Sequence, residues 1–201
     1  MIIKKNTILK VAWLIYFIIV LNYNDLPGMQ MFSLITIVLL TVFCVPRKLI
    51  SSNFYTGKWY LIFFLYMTIS FLWAVFKDRS SGVYEATFRV LIFVLCLDVF
   101  CDSKENTDYM LNTTIFAGVF YAVHVLMTTP VSYYGTLNVG VSVNAQRNFV
   151  GQVSALISII SFVLLMSENQ RKKRCVYLFS MILCYFVACI SGSRKAFLML
   201  P

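Results

Sequence analysis

The chain has 201 residues, of which 60% are hydrophobic and 12% charged, and it carries a formal net charge of +9. With a mean hydropathy of +0.81, it has too little polar surface to cover a water-soluble globule of its size, which excludes an ordinary soluble domain. The basic excess is dispersed among apolar runs, so it reads as a membrane-topology signal and gives no nucleic-acid footprint.

A helix rises about 1.5 Å per residue and the hydrocarbon core is about 30 Å thick, so a span needs roughly 17 to 25 mostly apolar residues. Runs of that kind lie at 7–23, 29–45, 59–76, 83–101, 109–128, 149–167 and 175–193, and 196–200 begins another. The expected fold is therefore all-α, a polytopic membrane helical bundle of about seven transmembrane helices plus the start of an eighth. The whole of 1–201 is read as a single integral membrane domain. A transmembrane barrel would alternate in polarity over segments of about ten residues, whereas 35–45 and 60–75 are continuously apolar.

The first run follows Lys4 and Lys5 but has no small-x-small cleavage site before Asn22, so it stays as a helix and not as a removed signal. Lys10 within it must snorkel to the interface. After the second run, Pro46 opens a polar loop at 47–58. The fourth run contains Arg89, about 9 Å below its outer end at helical rise. An unpaired cation there costs on the order of 2 to 3 kcal/mol, so Arg89 needs a partner or a wet cavity. Asp98 is nine residues further on, beyond the three or four at which intrahelical pairs form. His124, between Val123 and Val125 in the fifth run, reads as a helix-facing structural histidine.

The outer loop 129–148 differs in character: Pro130, Tyr133, Tyr134, Gly135, Asn138, Gly140, Asn144, Gln146, Arg147 and Asn148 make it turn-prone and rich in tyrosines and amides. Such side chains suit sugar hydroxyls and phosphates. The segment 168–174 between the sixth and seventh runs is a tight basic turn, expected to face anionic lipid headgroups.

A cytoplasmic N-terminus puts eleven cations in inner loops against five outside, with Arg89 the seventeenth, which orients the chain N-terminus inside. Of the six cysteines, Cys44, Cys96, Cys184 and Cys189 fall within spans and Cys101 and Cys175 at inner ends, so no extracellular bridge and no metal set is expected. No cofactor is implied.

Arg147 and Arg194 then share one headgroup plane, at the start of the sixth helix and the end of the seventh. A guanidinium is a rigid fork of donors that matches a phosphate bidentately. Three arginines near the outer leaflet, Arg89 included, would suit a pyrophosphate-linked lipid, and backbone N–H groups at the helix start after Arg147 would add to that.

The stretch Ser191-Gly192-Ser193-Arg194-Lys195 after an apolar helix resembles the S-G-S-R motif of the O-antigen polymerase and O-antigen ligase superfamily. Asn148-Phe149-Val150-Gly151 is similar to the element that opens the preceding helix in that family. The interval between the two, one helical hairpin with a basic turn, also matches. The resemblance covers mainly 138–200. It implies a glycosyltransferase that polymerises undecaprenyl-pyrophosphate-linked repeat units into O-antigen or capsular polysaccharide at the outer face of the bacterial cytoplasmic membrane. On that view Arg147 and Arg194 hold the pyrophosphate, Arg89 assists, and Asn148, Gly151, Ser193 and Lys195 are secondary contacts.

Implied partners are the lipid-linked glycan, membrane lipids, and the flippase and chain-length regulator of the same pathway, with no nucleic acid. Family members are longer, so the chain is expected to be either the N-terminal portion of such a polymerase or a truncated product that binds lipid poorly and catalyses nothing by itself. The alternative is a transporter or flippase for a lipid-linked or anionic substrate, although the sequence shows no inverted repeat or paired acidic relay.

Overall fold

The computed structural model describes residues 5–22, 27–45, 54–73, 77–136, 139 and 147–194. Seven α-helices take up most of them: α1 (Lys5–Asn22), α2 (Pro27–Cys44), α3 (Tyr55–Leu72), α4 (Lys77–Phe100), α5 (Lys104–Thr128), α6 (Arg147–Ser167) and α7 (Arg171–Ile190). A single 3-10 turn, Val131–Tyr133, follows α5. There is no strand among the described residues, so the all-α expectation holds.

The expected number of spans does not hold among the described residues. There, three helices are long and apolar enough to cross a membrane: α5, α6 and α7, of 25, 21 and 20 residues. The shortfall has local causes. Helices α1 and α2 are apolar but lie at the short end of the spanning range, with 18 residues each, about 27 Å at helical rise against a hydrocarbon core of about 30 Å. Helix α3 spends part of its 18 residues on Lys58 and three tyrosines near its start and middle. Helix α4 is long enough but carries Glu85, Arg89 and Asp98. The eighth apolar run, 196–200, lies outside the described residues.

Helix boundaries follow capping chemistry more closely than hydropathy. The stretch 101–108, which links the fourth and fifth apolar runs, is mostly helical because Ser103 Oγ accepts the Asn106 N–H at 3.4 Å, which makes Ser103 a cap for α5. Asn106 Nδ2 donates to the Phe100 carbonyl at 2.9 Å, satisfying an orphan acceptor at the end of α4. The basic turn is likewise shorter than expected: 168–170 is the turn, and Arg171 to Arg174 form the first helical turn of α7.

The described chain forms two compact units, Met1–Ala12 with Leu34–Tyr109, and Trp13–Ser33 with Met110–Pro201. In the first, α3 and α4 pack as an antiparallel pair through Phe64 on Tyr84 and Phe88 and Phe71 on Tyr84, with ring centroids 5.2 to 5.6 Å apart. The Gly57 N–H donates to Asp98 Oδ2 at 2.6 Å, so a carboxylate from α4 closes the N-terminus of α3. Gly57 lets the two helices approach closely there, since a Cβ would stand 2.6 Å from a Leu95 methyl and oblige that side chain to shift. Lys10 pairs with the exposed Glu105 carboxylate at 2.8 Å and lies 5.2 Å from the Tyr109 ring.

In the second unit, α5, α6 and α7 enclose Tyr121, Val125, Val139, Val150, Ile157, Cys184 and Val187. The α6–α7 seam is small and partly polar, with Ser154, Ser158, Ser161 and Ser180 buried and Ser158 Oγ donating to the Met181 carbonyl at 3.2 Å. The outward faces carry Leu156, Val163, Met166, Phe179, Ile182 and Phe186, all exposed. Large apolar groups outside and small hydroxyls inside are the arrangement of helices that pack in lipid, where close approach replaces hydrophobic burial as the driving force. His124 Nδ1 lies 3.2 Å from Asn22 Oδ1, in keeping with a structural role.

Candidate functional site

The site is built where α7 ends. Ser191-Gly192-Ser193 cannot continue the helix and turns out of it, with the Gly192 N–H donating to the Cys189 carbonyl at 3.2 Å. Gly192 has φ +61°, the left-handed conformation that ends many helices and that L side chains resist. Its missing side chain also makes room for a neighbour, since a Cβ would stand 2.7 Å from the Gly135 carbonyl oxygen. Gly135 itself has φ +74°, and its N–H donates to the Ile190 carbonyl at 2.6 Å. The loop after the 3-10 turn is thus seated against the end of α7, backbone to backbone.

The two serines lock the turn internally and to α6. Ser191 Oγ donates to the Ala188 carbonyl at 2.6 Å and accepts the Ser193 N–H at 3.2 Å. Ser193 Oγ donates to Asn148 Oδ1 at 3.1 Å. Both serines are fully buried, so their hydrogen bonds matter: an unmade bond at such a site costs more than a made one contributes. Tyr121 backs the same end, its ring 6.2 Å from Phe149 in an edge-on contact.

Arg147 is the first residue of α6 and Arg194 follows Ser193 directly. Each therefore flanks one member of the Asn148–Ser193 pair, at the same end of one antiparallel hairpin. Arg147 is half-buried and Arg194 exposed, and no acidic partner holds either among the described residues. Gly151 is buried in the first turns of α6. Lys195 lies outside the described residues, as do Asn138, Gly140, Asn144 and Gln146 of the outer loop.

Arg89 belongs to the other unit. Its guanidinium pairs with Glu85 at 3.1 Å, one helical turn earlier on α4. The partner this residue required is supplied by its own helix at four-residue spacing, and the carboxylate occupies part of the fork that a phosphate would need. Asp98 is likewise engaged, at the start of α3.

At the opposite end of the α6–α7 hairpin, Glu168 accepts the N–H groups of Asn169 and Gln170, both at 3.0 Å, and pairs with Lys173 at 3.5 Å. The Gln170 N–H, then Lys173, hold its carboxyl below the usual glutamate range. Among the described residues no group of His, Cys, Asp and Glu is placed to hold a metal ion. Comparison of the chain with protein-family models, curated proteins and solved structures returned no match.

Proposed function

We propose that this chain acts at the outer face of a bacterial cytoplasmic membrane on a polyprenyl-pyrophosphate-linked glycan, as the pyrophosphate-gripping portion of a repeat-unit polymerase. The observation that carries the reading is the 3.1 Å hydrogen bond between Ser193 and Asn148. It joins the two short elements that resemble the polymerase and ligase superfamily, and Arg147 and Arg194 adjoin that bond on either side.

The chemistry asked of these residues is modest. Transfer of a glycan breaks the bond between its anomeric carbon and the pyrophosphate oxygen and makes a new one to an acceptor hydroxyl, whose proton passes to a base. Negative charge develops on the departing pyrophosphate, and two guanidinium groups fixed at a helix start and a helix end would stabilise it without reorganising. The N–H groups at the start of α6 add to the same field. Arg89 is left out of this grip because Glu85 holds it. A transporter reading gains nothing from Asp98, whose carboxylate is committed to the Gly57 N–H.

The test is replacement of Arg147 or Arg194 by Lys in a cell whose surface polysaccharide depends on this chain. Each change keeps the charge and loses the bidentate fork, so polymer of high length, read on a gel, should fall away and single repeat units accumulate. Normal polymer from both variants would remove the arginines from the reaction.

A further inference from the structure

A cavity of about 590 Å³ opens beside the α6–α7 turn, lined by Leu165, Asn169, Arg171, Arg174, Cys175 and Leu178. Its lining combines two arginines and an asparagine with two leucines and a cysteine. The acid nearest in sequence does not compensate those charges, because Glu168 is taken by Lys173 and by two backbone N–H groups. Arg171 and Arg174 have no ion-pair partner among the described residues. They are three apart on α7, so they lie on one face.

From this we infer a binding site for an anionic glycerophospholipid, with its phosphate between Arg171 and Arg174 and the first part of an acyl chain along Leu165 and Leu178. The inference rests on the membrane reading of α6 and α7. A 21-residue helix spans about 31 Å, so if α6 crosses the hydrocarbon core, the turn and the cavity sit at headgroup depth. Lipid is the occupant that the wall fits best: a free phosphate would use the arginines and leave the leucines wet. A phosphate diester on an acyl chain meets both kinds of side chain, and a guanidinium pair can grip it bidentately.

Cys175 supplies a reporter, because it lines the cavity and is exposed, whereas Cys96 and Cys184 are buried. The full chain is reconstituted into vesicles of phosphatidylcholine alone or with 30 mol% phosphatidylglycerol (about one anionic lipid in three, a strongly charged surface). Alkylation of Cys175 by the membrane-permeant N-ethylmaleimide is followed by peptide mass spectrometry. Occupancy should slow alkylation several-fold in the anionic vesicles, and inorganic phosphate added to phosphatidylcholine vesicles should not reproduce it.

An anionic surface also slows thiol reactions generally, by lowering local pH. The decisive comparison is therefore between Arg171→Gln/Arg174→Gln and Lys172→Gln/Lys173→Gln, which remove equal charge from the same turn. Protection lost only in the arginine pair supports the site. Equal protection in both pairs, equal loss in both, or protection by phosphate alone overturns it. Because the comparison does not involve Arg147 or Arg194, it can fail while the pyrophosphate reading stands, and the reverse.

Discussion

Replacing Gly192 with Ala should undock the loop around Gly135 from the end of α7. Two costs can be worked from the geometry. Holding Ala at φ +61° costs about 1 to 2 kcal/mol relative to its preferred backbone. The added Cβ would also stand 2.7 Å from the Gly135 carbonyl oxygen, which is backbone and can yield only by moving the loop. That movement sacrifices the Gly135 N–H to Ile190 hydrogen bond, about 1 kcal/mol more. The sum, about 2 to 3 kcal/mol, corresponds to a roughly 30- to 150-fold rise in the opening equilibrium. Hydrogen exchange of the purified protein in detergent reads this directly at the Gly135 amide. Gly82→Ala is the control: nothing lies within 4 Å of its Cβ, and in mid-helix Ala is favoured by up to about 1 kcal/mol. If Gly192→Ala leaves protection at Gly135 unchanged, the loop is not held by this contact and the account of the site fails.

Four other outcomes follow from named contacts. Ser193→Ala removes the hydroxyl that donates to Asn148 Oδ1 and should lower stability by about 1 kcal/mol, read as a shift in thermal midpoint; no shift would mean that water replaces the bond. Asp98→Ala uncovers the Gly57 N–H, so amides at 55–58 should exchange faster, by the equivalent of about 0.5 to 2 kcal/mol for a lost cap. A double-mutant cycle on Glu85 and Arg89 should return a coupling of only about 0.3 to 0.5 kcal/mol, as for exposed helical pairs; a value several times larger would place the pair in a low-dielectric medium. Glu168 has a folded-state pKa below its unfolded value of about 4.3. Its contribution to the turn is therefore complete above that unfolded value and is lost as pH falls through the lower folded one. Protection of the Asn169 and Gln170 amides should drop across that acidic window, and Glu168→Gln should abolish the dependence.

Hydropathy made the helical class legible, and it placed α5, α6 and α7 to within a few residues because their runs are long and their charges lie at the ends. It overstated the number of spans because a run of apolar residues records composition, whereas crossing a bilayer requires unbroken helical length. Helix α4 satisfies length and fails on Glu85, Arg89 and Asp98. Helices α1 and α2 satisfy composition and fall about two residues short of a 30 Å core. Segment 101–108 shows the converse error: its acids and Lys104 suggest a loop, yet Ser103 caps a helix through them. Ser103 as a capping residue with Glu105 in the first turn was available as a signal, and a search for caps would have found it.

The site was legible in part for the same reason. Local spacing located the start of α6 and the turn after α7, but the role of Gly135 depends on a contact with Gly192 across 57 positions, which no local pattern encodes. Arg89 is the opposite case, since its partner was in plain view. Looking forward to Asp98 ruled out a pair, whereas looking back four residues finds Glu85 in the orientation, acid before base, that a helix favours. A cation near the membrane is evidence of a ligand only after its own helix has been searched for an anion. Arg147 and Arg194 pass that filter among the described residues and Arg89 does not, which is why the proposed grip on pyrophosphate narrows from three arginines to two.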